Sequence, residues 1–362
     1  MDRWKRFIDW CQQPSKIKIR TINPRNIMVI ALSILIISLI TSGTWLYQVL
    51  SITQPPDLTR ENYESLFPTL TITEDTSLNE DHHGDIIIEA DGVTLDGNGH
   101  TITGPGRSKY NTTKRCWDIS IGISVEGRTG VTIKNCRITN FAYGLILDRS
   151  DGCTLLNNTV DHNLWGGIHV QFSINNNIQE NTVYSTRDVE IDDVAAFSVE
   201  MSFGNTFKDN LAYDNGLGFV TGEFEKTFFE EERGFTPEKY EGNVFEANTA
   251  KDNTLAGFHI GFIFDKAFSN KFFHNNLIDN PIQAGVPLGY ANSWDDGYPS
   301  GGNYWSDYTG VDADGDGTGD TPYIIFSVSW EIDDESQEPI LVLGESDGNN
   351  IDRFPLTAPF NG

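Results

Sequence analysis

The sequence predicts an all-β solenoid, a parallel β-helix, carried on an N-terminal transmembrane helix and closed by a C-terminal cap. Three observations predict it. First, a short phrase recurs: Val131–Ile138 (VTIKNCRI), Cys153–Val160 (CTLLNNTV), Asn176–Val183 (NNIQENTV), Asn205–Ala212, Asn243–Ala250 and Asn270–Leu277. Second, another phrase follows each copy: Gly122–Val125, Gly144–Leu147, Gly167–Val170, Ala196–Val199, Gly218–Thr221 and Gly257–Ile260. Third, every run is short, β-prone and alternating, and is bounded by Asn/Gly turns. Self-similarity at such a period is the mark of a stacked repeat architecture rather than of a β-sandwich. A coil of about 22 residues is too short for a strand–helix–strand unit.

In chain order, residues 1–25 form a basic tail. Residues 1–50 hold seven Lys/Arg and two Asp, a balance of +5, and the remaining 312 residues hold 18 basic and 50 acidic groups, −32; the two sum to the formal −27. From Asn26 to Pro56 no residue is charged, and Ile27–Leu50 is 24 residues long. That length spans a bilayer. Trp45 and Tyr47 suit its outer interface, and the preceding cations put the N-terminus in the cytoplasm and the acidic bulk outside. The run is long for a signal-peptide core and no small-residue cleavage site follows it, so the segment 26–50 reads as a single-pass anchor in the cell membrane. Residues 51–80, with Pro55, Pro56 and Pro68, form a linker and N-terminal cap. The solenoid follows over 81–290, and 291–362 closes it. With 38 % hydrophobic residues the chain has material for a core, which argues against disorder. An acidic exterior argues against nucleic acid as a partner.

The column Cys136, Asn158, Asn181, Asn210, Asn248, Asn275 sits at a bend, and spacings of 22, 23, 29, 38 and 27 mark one coil per member. Asn fits there because it tolerates left-handed backbone and because stacked amides bond along a ladder. Cys136 and Cys153 read as core or ladder residues. Alternation points Ile123/Val125, Leu145/Leu147, Ile168/Val170, Phe197/Val199 and Phe258/Ile260 inward. One outward column then reads Ser124, Ile146, His169, Ser198, Val220, His259, and the next Glu126, Asp148, Gln171, Glu200, Gly222, Gly261. Two coils are over-long. Asn181–Ala196 spans 15 residues where 8 or 9 is usual, and Gly218–Asn248 spans 30 where 14 is usual. Such insertions in a regular solenoid are commonly functional or disordered.

The outward columns place candidate chemistry on one face. Asp148 and Glu200, two rungs apart, are expected about 9–10 Å apart, near the carboxyl spacing of inverting glycosidases. Glu126 and Asp148 are one rung apart, near the retaining spacing. His169 lies between these carboxylates, and Tyr143, Trp165, Gln171 and His259 are placed to bind sugar. If this face carries an enzyme, it is a polysaccharide hydrolase or lyase.

The repeat phrases resemble the right-handed parallel β-helices of the NosD-like group, also described as carbohydrate-binding and sugar-hydrolase, pectin-lyase-like domains, over roughly 84–290. The tail Asn292–Tyr308 looks like the end of archaeal surface proteins of that kind. The resemblance implies a membrane-anchored extracellular protein that binds polysaccharide or cell-surface glycan. Two alternatives accompany it: a non-catalytic surface-layer or adhesive scaffold, and an accessory protein in the maturation of a copper enzyme. Copper(I) favours Met and Cys, yet the chain has three Met. His169 and His259 lie three rungs apart, about 14 Å, too far to share an ion.

Residues 312–320 (DADGDGTGD) place carboxylates of Asp312, Asp314, Asp316 and Asp320 at loop positions 1, 3, 5 and 9. Gly317 stands at the sharp turn, and Thr318 can offer its carbonyl at position 7. The loop resembles those of dockerin and thrombospondin type 3 repeats, although position 12 is Tyr323 rather than Glu. All donors are oxygen, which points to a structural Ca²⁺. Asp307 or Asp296 is expected to complete its shell. Trp294, Tyr298, Tyr304, Trp305 and Tyr308 read as the apolar plug of the cap. Asn111 and Asn157 head glycosylation sequons.

Overall fold

Alternation over three to six residues, punctuated by left-handed turns, folds each coil into three short strands. The computed structural model describes residues 66–106, 110–111, 116–117, 120–186, 194–222, 230, 232–234, 241–261, 269–332, 339–344, 346 and 348–361. The expected tail, the anchor at 26–50, residues 51–65 of the linker, and residues 187–193, 223–229, 231 and 235–240 of the two over-long coils lie outside the described residues, as do the side chains of Asn111 and Cys116. Among the described residues no helix is long and apolar enough to cross a membrane.

The strands stack into three sheets of 11, 8 and 9 strands. Every neighbour in them is parallel except the last pair of the largest, Phe326–Ile332 with Pro339–Gly344, which is antiparallel. The largest sheet carries the second repeat phrase: Ile121–Glu126, Tyr143–Asp148, Gly166–Gln171, Ala195–Glu200, Leu217–Gly222 and Ala256–Ile260 follow one another in order. The expected register holds pair by pair. Ser124, Ile146, His169, Ser198, Val220 and His259 are successive partners, as are Glu126, Asp148, Gln171, Glu200 and Gly222.

All ten residues expected inside are fully buried. The core is aliphatic in the early coils and aromatic later. Phe197, Phe219 and Phe258 stack at 4.7 and 4.9 Å, and Phe207, Phe245, Phe272 and Trp294 at 4.9, 4.8 and 4.4 Å. Parallel coils put identical ring positions one rung apart, so stacking follows from the repeat itself.

The bend asparagines form a buried ladder in which each Oδ1 accepts the backbone N–H of the residue one coil earlier. The bonds run Cys136 to Asn158, Asn158 to Asn181, Asn181 to Asn210, Asn210 to Asn248, Asn248 to Asn275 and Asn275 to Asn303, at 2.9–3.1 Å. A second ladder runs from Cys153 through Asn176, Asn205, Asn243, Asn270 and Asn292 to Asn350, and a third from Thr186 through Asn215 and Asn253 to Asn280. Both cysteines head ladders, and burial pushes their thiols up to about 12 and about 11. One expectation is corrected. The ladder Asn is not the left-handed residue; its predecessor is. Asn135, Asn157, Glu180, Asp209, Ala247 and His274 take φ of 53–58°. That turn swings the following side chain inward, where its amide replaces the backbone bonds lost at the corner.

At the C-terminal end Trp294 and Trp305 are both 1 % exposed, as expected of a plug, whereas Tyr298 is exposed. Two of the ladders end on a polar pair. Trp294 donates its indole N–H to Asn350 at 3.1 Å, and Trp305 to Asp352 at 2.9 Å. Asp352 also accepts the N–H of Asn303 and of Phe354. Burial nonetheless pushes its carboxyl up to about 6.

Candidate functional site

Outward residues of the large sheet are set by the same alternation that builds the core. Tyr143 and Trp165 precede or open two adjacent strands, so their rings meet edge to face at 6.3 Å. Tyr143 lies over Gly166 of the next coil, where a Cβ would meet its ring at 2.7 Å; only glycine leaves room for the ring there. His169 stands 5.8 Å from the same ring, and its Nε2 is 3.2 Å from Gln171 Oε1. Tyr143, Trp165 and His169 are all partly exposed. Together they make an amphipathic shelf of aromatic surface and polar edge, the combination that suits a sugar ring.

Beside the shelf runs the row Glu126, Asp148, Gln171, Glu200. The register puts Asp148 and Glu200 two rungs apart, as expected. Glu200 Oε1 accepts the Ser198 hydroxyl at 3.0 Å. Asp148 is mostly covered, and burial holds its carboxyl above the usual carboxylate range against the opposing pull of Arg149. Its Oδ1 is buried and without a hydrogen-bond partner. Its Oδ2 meets Arg149 Nη2 at 2.6 Å, and the same nitrogen bonds Glu126 Oε1 at 2.7 Å. Sequence reasoning missed Arg149. It occupies the left-handed position that ends each strand of the face (φ 51°), and its neighbour Asp148 was the only signal.

One expected contact is corrected. His259 shares the column of His169, but it is 4 % exposed and burial lowers its imidazole to about 4. It is a buried neutral histidine, not a sugar contact. Ser198 and Val220 in the same column are also buried, and Val220 belongs to an apolar cluster with Leu217, Leu255 and Ala256 outside the solenoid interior. The open part of the face is therefore its earlier rungs, at Ser124, Ile146 and His169.

Part of the long insertion returns to this face. Glu232 and Arg233 lie in a helical turn closed by Gly234 N–H donating to Glu230 O at 2.8 Å. Arg233 grips Asp151 with both terminal nitrogens, at 3.0 and 2.6 Å, and also donates to the carbonyl of Phe172. Glu232 reaches Arg149 at 3.8 Å. Asp151 stands at the rim of an open groove of about 580 Å³ floored by Gly92, Gly130 and Gly152.

The Asp/Gly loop folds around its first carboxylate. Asp312 accepts the N–H groups of Gly315, Asp316 and Gly317 at 2.7–3.1 Å. Carboxylate oxygens of Asp312, Asp314 and Asp316 come within 4.8 Å of one another. Asp320 instead accepts Ala313 N–H, and Thr318 donates to Asp316. Asp296 and Asp307 do not complete a shell, because Asp296 pairs with Lys271 and Asp307 with the Tyr323 hydroxyl. Among the described residues no other group of three His, Cys, Asp or Glu side chains converges on a point.

Comparison with solved structures returns polysaccharide-active proteins. One is the catalytic domain of a GH87 α-1,3-glucanase (17 % identity, 68 % of this chain and 42 % of that chain, TM-score 0.37). Another is the periplasmic alginate epimerase AlgG (13 %, 68 % of each chain, TM-score 0.40). A third is an endo-xylogalacturonan hydrolase from Aspergillus tubingensis (13 %, 65 % and 84 %, TM-score 0.34). This chain thus spans less than half the length of the glucanase chain. No curated protein matches it. Residues 68–229 and 224–310 match the family described as periplasmic copper-binding protein (NosD). That match covers more than half of the chain and coincides with the stacked coils, and the chain belongs to the NosD family.

Proposed function

We propose that this chain is an exported β-helix protein, held at the cell membrane by residues 26–50, that binds glycan on the outer face of its largest sheet. The observation that carries the reading is the shelf Tyr143–Trp165–His169 beside the row Asp148–Gln171–Glu200. Exposed aromatic ring surface beside a line of acceptors at rung spacing fits the apolar faces and hydroxyl edges of a sugar chain. Polysaccharide-active proteins among the solved structures accompany the reading but do not carry it.

The test is binding of the whole chain to neutral and acidic polysaccharides. Tyr143→Ala and Trp165→Ala are each expected to weaken binding by roughly tenfold, about 1.4 kcal/mol. Asp148→Asn with Glu200→Gln is expected to weaken it further and to abolish any turnover. Unchanged binding in all three would remove this face from consideration.

Copper handling, suggested by the family's description, has less support among the described residues. His169 and His259 are separated by the rungs of Ser198 and Val220. Cys136 and Cys153 are buried in ladders.

The loop 312–320 serves this reading as a calcium-binding brace near the end of the solenoid. Its donors are hard oxygens, and three carboxylates so close repel one another without a cation. Calorimetry is expected to show one Ca²⁺ site of extracellular, micromolar-to-millimolar strength, lost in the Asp312→Ala, Asp316→Ala double variant. No heat of binding in the parent chain would exclude it.

A further inference from the structure

We propose that the turn carrying Glu232 and Arg233 is an ion-paired latch on the edge of this face, and that it must let go for a ligand to reach Asp148 and Gln171. The inference rests on the proposed glycan face for its purpose, but not for its geometry.

Arg233 lies 82 residues from Asp151 in sequence, so nothing local forces the contact. The turn follows the strand Leu217–Gly222, yet it contacts the ends of Tyr143–Asp148 and Gly166–Gln171, three and two rungs back. Through the side chains of Arg233 and Glu232 the turn thus reaches back to the row that holds Gln171 and Asp148. Its contacts abut that row directly: Phe172 follows Gln171, and Arg149 follows Asp148. Arg233 is held firmly, with its side chain 9 % exposed. A bidentate guanidinium–carboxylate pair with an added carbonyl fixes direction as well as distance.

The second pair ties the latch to the site. Arg149 holds Glu126 and Asp148 with one terminal nitrogen and faces Glu232 with the other. Releasing the turn removes one of three acids competing for that guanidinium. It also uncovers Asp151 at the rim of the glycine-floored groove. The latch is polar where a permanent closure would be apolar. Its partners are charged groups and a carbonyl, so water and ligand hydroxyls can take over their hydrogen bonds when it opens.

The test is site-resolved maleimide labelling of a Gln171→Cys variant of the whole chain, with and without Arg233→Ala. The latch predicts labelling at position 171 roughly tenfold faster without Arg233, with buried Cys153 still unreactive. Exchanging the partners, Asp151→Arg with Arg233→Asp, is expected to restore slow labelling. An unchanged rate at position 171 overturns the proposal, and so does equal acceleration at Cys153, which would mean general loosening. Failure of every glycan to bind, with the labelling result as predicted, would remove the glycan reading and leave the latch in place.

Discussion

Asn210→Ala is expected to destabilise the solenoid by about 3–5 kcal/mol, read as a shift in chemical unfolding. The side chain Oδ1 accepts the N–H of Asn181 at 2.9 Å, and its Nδ2 donates to Ile178 O at 2.7 Å and to Asn248 Oδ1 at 2.9 Å. Truncation leaves the Asn181 N–H buried without its acceptor and removes the amide bonds to Ile178 and Asn248. Such an orphan costs about 1–3 kcal/mol, and the lost amide bonds and the void of a fully buried side chain add to it. Asn210→Asp is expected to do no better, because it keeps the acceptor but loses both donated bonds and buries a charge. A cost below about 1 kcal/mol for Asn210→Ala would show that the ladder is decoration rather than support.

The second large effect is a pH dependence set by Asp352. Its folded carboxyl stands at about 6, above the ordinary value of 3.8. Folding therefore favours the protonated form. The stability of this group is fully present below about pH 4 and is lost as pH rises through 6. About two pH units at 1.36 kcal/mol each gives roughly 2–3 kcal/mol. Other carboxylates work the opposite way. Burial opposes ionisation of Asp161 and Asp295 too, but Arg137 and Arg353 hold both below the usual range. The raw stability curve sums both kinds. The informative quantity is the difference between parent and Asp352→Asn. The parent is expected to lose about 2–3 kcal/mol relative to the variant between pH 4 and pH 7. Parallel curves would show that Asp352 titrates as it does in the unfolded chain.

The two effects follow from features of unequal legibility. Register was readable to the residue, because a period-2 alternation tied to a repeated Gly leaves one way to stack the coils. The ladder column was readable too, from Cys136 to Asn275. Its continuation to Asn303 and Asp352 was not, nor was the end of the second ladder at Asn350, because the phrase around them has lapsed and only their contacts reveal the continuation. Left-handed geometry was assigned one residue late. Asn135 and Asn157 carry it, each just before a ladder residue, Cys136 and Asn158, and at 157–158 the Asn-Asn pair masked the division of labour.

The face was legible as columns and not as a surface. Alternation says that His259 points out of the solenoid, but it says nothing about what covers it. Burial on the outer side depends on which side chains pack there, as Leu217, Val220, Leu255 and Ala256 do in an apolar cluster on two neighbouring coils. Arg149 and Arg233 were invisible for a related reason. Each finds its partners through a left-handed corner or a non-repeating loop, where spacing carries no signal. The insertion itself was flagged by its length, but its destination, three rungs back, could be seen only in three dimensions.

The most direct test of the central claim is amide hydrogen exchange of the whole chain, with and without the tightest ligand from a polysaccharide screen. The account predicts added protection confined to Tyr143–Asp148 and to Trp165 with Gly166–Gln171, and the loss of that protection in Tyr143→Ala. Protection elsewhere, as along the groove at Gly92, Gly130 and Gly152, with the shelf unaffected, would contradict it.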